Sequence, residues 1–115
     1  MSDGWIWMPH AGHLCVSNKC RFHLNTYVGK FIVSTVGEYY NRDDKMETLG
    51  CGKDSYYETM VFKAVKSKHK CCPYEALITK EYEQIRYATA EDAYKGHLKL
   101  CNQYSSLTKK EDELK

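Results

Sequence analysis

The pattern of apolar and polar positions is most regular at 31–40, Phe-Ile-Val-Ser-Thr-Val-Gly-Glu-Tyr-Tyr, where five of the first six residues are β-branched or aromatic. Residues of these types suit a pleated, half-buried surface, so this stretch predicts a central β-strand. Val28-Gly-Lys30 ahead of it supplies a turn, which makes residues 21–27 its hairpin partner. Period-two alternation places Phe22 and Leu24 on one face of that partner and Arg21, His23 and Asn25 on the other. Residues 56–65 predict a third strand, with Tyr57, Thr59, Val61 and Lys63 alternating against Glu58, Met60 and Phe62. Residues 75–78 begin a short element, and 82–87, where Ile85 alternates with Gln84 and Arg86, reads as a fourth strand.

The period changes after Ala88. Thr89 is an N-cap with Asp92 three residues on and Glu91 beside it, so a hydroxyl and two acids meet the amide end of a helix. Ala93, His97, Leu100, Cys101 and Tyr104 then recur at spacings of three and four, one face of a helix over 90–104. Residues 105–115 lose the pattern and predict a charged tail. Residues 1–19 predict a lead-in whose Trp5 and Trp7 pack back on the sheet, with 14–16 a short strand, and 41–55, with Asp43, Asp44, Gly50 and Gly52, a loop. The expected fold is therefore one α+β domain over 20–104: a small antiparallel sheet of three or four strands with one C-terminal helix packed on one face.

At 115 residues the chain is long enough to bury a core without disulfides or metal. A mean hydropathy of −0.64, no long apolar run and a start lacking a signal-peptide pattern point to a soluble, cytoplasmic protein with no membrane partner. A net charge of +2 from 17 basic and 15 acidic residues is too mild for a dedicated nucleic-acid binder. The ten tyrosines favour half-buried sheet faces and binding surfaces, since each joins an apolar body to a polar tip.

Three kinds of chemistry are open. His10, His13, Cys15, Cys20 and His23 lie close in sequence, and Cys71, Cys72, His97 and Cys101 could complete a tetrahedral zinc shell. Against it, Cys20 and His23 alternate to opposite faces of a strand, no CxxC pair exists, and the plainer expectation is no cofactor, with buried thiols and hydrogen-bonded histidines. A cysteine nucleophile with a histidine base needs a spatial assembly that six cysteines and five histidines do not define. A binding surface is the third, because Arg21, His23 and Asn25 share a strand face that Arg86 extends, and cations beside tyrosines suit phosphates, nucleobases or acidic protein surfaces.

Val33-Ser-Thr-Val36, Tyr57-Glu-Thr-Met-Val-Phe62 and the stretch from Arg86 to His97, Arg-Tyr-Ala-Thr-Ala-Glu-Asp-Ala-Tyr-Lys-Gly-His, resemble a family of small, mostly uncharacterised bacteriophage proteins. The same order of motifs is supported by Met8-Pro-His-Ala-Gly-His13 and by residues 20–29, so the resemblance spans about 8–104. It draws attention to Ser34, Thr35, Glu58, Thr59, Gly96 and His97, and implies a phage origin without an established activity. By genetic context, such a protein is expected to be a non-enzymatic counter-defence factor. It would either inhibit a host protein such as a CRISPR effector or sequester a nucleotide-like immune signal in the host cytoplasm. A nucleotide would occupy a pocket lined by Arg21, His23, Tyr39, Arg86 or His97, with Glu58 nearby, in one form between the protomers of a homodimer. A protein partner would call for an exposed Tyr-rich patch instead. The alternatives are a zinc-stapled nucleic-acid binder and a small cysteine-dependent enzyme.

Overall fold

The computed structural model describes residues 5–8, 20–40, 46–47, 57–67 and 72–113. Its elements are β1 (Trp5–Met8), β2 (Cys20–Val28), β3 (Phe31–Tyr40), β4 (Met46–Glu47), β5 (Tyr57–Lys66), β6 (Tyr74–Tyr87) and α1 (Ala90–Glu113). The class is α+β, with the C-terminal helix packed on an antiparallel sheet, but the sheet has six strands rather than three or four. Their order is β1-β2-β3-β5-β6, with the two-residue β4 pairing the end of β3 at Tyr39 and Tyr40.

The expected hairpin forms, and Gly29 carries it with a φ of 65°, a backbone conformation that glycine adopts without steric cost. Two expectations are corrected at the edges. Residues 5–8 are not an irregular lead-in but an edge strand, β1, with Trp5 opposite Val28 and Trp7 opposite Thr26, and from it Trp5 packs against the core. The helix continues through Glu113, so residues 105–113 are helical rather than a separate tail. The short strand expected at 14–16 lies outside the described residues, as does all of the 41–55 loop except Met46 and Glu47.

The third correction matters most for the site. The elements expected at 75–78 and 82–87 are one strand of 14 residues, bent by two consecutive register shifts. Val61 pairs with Glu83, Phe62 with Glu81 and Lys63 with Leu77, so Tyr82 and then residues 78–80 are extra on β6. Bulges of this kind bend the strand and increase its twist. The sheet curls as a result. Tyr27 on β2 stacks on Tyr74 of β6 at 3.8 Å and 4°, although β3 and β5 lie between, a span of roughly 14 Å in a flat sheet.

Each face of the curled sheet carries its own core. On the helix side Val28, Phe31, Val33 and Val61 meet Leu100, Cys101 and Tyr104, with Trp5 and Ile85 packed at the margin. On the other side Ile32 and Phe62 pack with Met8 and Cys72. Burying side chains as large as Ile32 and Phe62 stabilises by about 1.5–3 kcal/mol each, so the face away from the helix contributes to folding as well. The helix begins as its sequence indicates: the Asp92 amide donates to Thr89 Oγ1 at 3.1 Å. Among the described residues no helix is long and apolar enough to cross a membrane.

Candidate functional site

His97 stands on the helix face that the 3.6-residue period marks out, and it is fully buried against the sheet. Its Nδ1 lies 2.7 Å from Thr35 Oγ1 and its Nε2 2.8 Å from Thr26 Oγ1, while Thr35 and Thr59 share a 2.6 Å hydrogen bond. Tyr87 extends the chain through a hydrogen bond with Thr59, and Thr26 meets Cys101 at the other end. A neutral imidazole has one donor and one acceptor nitrogen, and a hydroxyl can serve either, so the chain is satisfied with an uncharged ring. Burial holds His97 down at about 4 and pushes the Cys101 thiol up to about 12, the latter against the opposing effect of Thr26. Gly96 makes room for this arrangement: a Cβ there would meet the Tyr87 ring, with Cε1 at 2.6 Å.

The remaining expected site residues divide between two places. Glu58 is buried on the sheet face opposite the helix, where its Oε2 accepts from Arg86 Nη2 at 2.8 Å and from Gln84 Nε2 at 2.6 Å. His23 lies in the same cross-strand row, through its pairing with Val36 and that of Val36 with Glu58. Asn25 is 7% exposed on this face, and its Oδ1 has no hydrogen-bond partner among the described residues. Arg21 and Tyr39 are placed in β2 and β3 by their backbones, and their side chains lie outside the described structure. Thus Glu58 and Arg86 are brought into contact, whereas His97 is separated from them by the sheet. Among the four whose side chains are described, no pocket joins His97 to His23, Glu58 and Arg86.

The same geometry bears on the zinc shell. His97 and Cys101 face the helix side while His23 alternates to the other side, and both His97 ring nitrogens are engaged with hydroxyls. Among the described residues no three His, Cys, Asp or Glu side chains stand together as a metal site. Cys101 is further expected to resist alkylation: at pH 8 a thiol held near 12 has about a thousandfold less thiolate than an ordinary one. Peptide mapping after brief iodoacetamide treatment should find Cys101 unmodified in the native protein and modified after urea. Rapid native labelling would contradict its placement.

Beside the bulge of β6 lies a groove that the sequence did not single out, with a volume of about 310 Å³. The Gly29 turn forms one end, and Tyr27, Phe31, Tyr74 and Tyr82 supply aromatic walls between the exposed Lys30 and Lys63. Its floor is fixed by backbone, since the Ala64 amide donates to the Lys30 carbonyl at 2.9 Å. Tyr82 stands edge-on to Phe31 at 5.3 Å and 80°, yet remains 51% exposed. The Tyr27 phenol is held above its ordinary range, first by burial and then by its hydrogen bond with Tyr74. The abundance of tyrosine was the signal for such a surface, but Tyr27 and Tyr74 meet only through the curl of the sheet. No family model, curated protein or solved structure matches this chain.

Proposed function

We propose that the protein is a non-enzymatic binder that captures a host factor and holds it out of use, as a bacteriophage counter-defence protein would. The observation supporting this reading is the burial, among the described residues, of His97, Cys72 and Cys101. His97 is neutral down to about pH 4 with both nitrogens engaged, and Cys101 is a protonated thiol up to about 12, so neither is poised for acid-base or nucleophilic work near neutrality. Cys72, the other cysteine whose side chain is described, is also buried. What faces outward instead is an aromatic groove flanked by lysines, which recognises by shape and charge without a proton transfer.

Of the two counter-defence forms, sequestration of a nucleotide-like signal fits the groove better than inhibition of a protein, because the feature is concave and small rather than a broad flat patch. The phage setting, with action in the host cytoplasm, rests on the motif resemblance. Sequestration predicts a stoichiometric outcome. Mixed with a panel of mononucleotides and cyclic nucleotides, the protein should deplete its ligand by one equivalent per site and return it chemically intact on heat denaturation, as read by mass spectrometry. Conversion of more than one equivalent to a new mass would establish an enzyme and sink this reading.

A further inference from the structure

We infer that the groove between Lys30 and Lys63 takes one ligand of mononucleotide size, a planar ring carrying a phosphate-type anion. This inference rests on the binder reading and names the ligand class. Size sets the first limit: about 310 Å³ is at the small end of the roughly 300–1,000 Å³ typical of ligand sites, enough for one nucleotide and too little for two.

The wall chemistry sets the second. Tyr27 and Tyr74 already lie parallel at 3.8 Å, and a third flat ring can extend or flank that stack without regard to which base it is. Tyr82 is the residue inserted by the shift between Val61 and Phe62, and the bulge leaves its ring 51% exposed at the groove. An aromatic side chain left this open beside a cavity is suited to cover a second planar surface.

Charge sets the third. Lys30 in the turn and Lys63 on β5, opposite Phe31, both line the groove, and both side chains are exposed. Among the described residues that line the groove, none is acidic. Lysines beside aromatic walls favour an anion joined to a ring above either alone.

The test is calorimetric titration of the intact protein with AMP, GMP, CMP and UMP, and with adenosine and inorganic phosphate as the separated halves. At least one mononucleotide should bind one per chain and at least tenfold more tightly than either half. Lys63→Glu should weaken that binding at least tenfold with an unchanged melting temperature, because Lys63 is exposed, and Tyr82→Ala should weaken it by a similar factor. The inference is overturned if no mononucleotide binds, if one half binds as tightly as the whole, or if both variants bind like the wild type. In each of those cases the binder reading survives provided another ligand is depleted one-for-one and recovered intact. Hydrolysis of the nucleotide would instead remove the binder reading.

Discussion

Alanine in place of Gly37 is expected to destabilise the protein by about 2 kcal/mol, although glycine is ordinarily the poorer strand residue by roughly 0.5–1 kcal/mol. Gly37 sits in β3 in register with Phe22 on one side and Tyr57 on the other. The Tyr57 ring covers the glycine so closely that a Cβ would lie 2.7 Å from its Cε1 and 3.0 Å from its Cγ, separations that real Cβ atoms do not sustain. The ring has little room to retreat, being buried and held by Phe22 edge-on at 5.0 Å and 68°. Overpacking therefore outweighs the gain in backbone propensity. Urea denaturation of Gly37→Ala, Tyr57→Leu and the double variant separates the two contributions. The double variant should be more stable than the sum of the single effects, because the steric conflict requires both groups. Strict additivity would mean that the ring moves aside freely.

Burial of the central strands on both faces explains why part of this fold is legible in the sequence. The strands at 31–40 and 57–66 are legible as runs rich in β-branched and aromatic residues because each has one face against the helix and one against the second core, and the five residues marked as the helix face are all buried. Trp5–Met8 escapes because Trp-Ile-Trp-Met has no polar partner residues to alternate with, and four residues are too few to show a period. The 14-residue β6 reads as two pieces because its inserted residues break the period of two just where the strand bends. Just beyond Tyr104, Ser106 and Leu107 are exposed, and there the apolar period fades while the backbone stays helical.

For the site, residue types were legible and placement was not. Alternation correctly separates His23 from Leu24 across the sheet, but nothing local indicates that the face carrying His23 and Glu58 is opposite the one receiving His97. That follows from packing of the helix, which selects one face of the sheet globally. The groove is further removed from local signals, since Tyr27 and Tyr74 are 47 positions apart and are joined only by a curl that two bulges create. Composition alone pointed to it.

The buried imidazole makes stability depend on acid in a defined window. In the unfolded chain His97 titrates near 6.5, and in the folded protein burial holds it down at about 4. Above pH 6.5 the ring is neutral in both states and its contribution is fully present. Between 6.5 and 4 the unfolded chain takes up a proton that the folded one refuses, so stability falls with pH by about 3 kcal/mol in total and levels off below about 4. The ring's neighbours, two threonine hydroxyls and the Trp7 indole at 5.4 Å, carry no charge in this range and do not blur the window. His97→Gln keeps a donor and an acceptor but cannot titrate. It should be less stable than the wild type at pH 7, since an amide does not reproduce the two-sided reach of the ring, and should lack the slope from pH 6.5 to 4 that is due to this residue. Urea midpoints at pH 7, 5.5 and 4.5 for both proteins supply the comparison. Equal slopes would place the imidazole in contact with water or a charge, and would return His97 to the surface as a candidate for ligand binding.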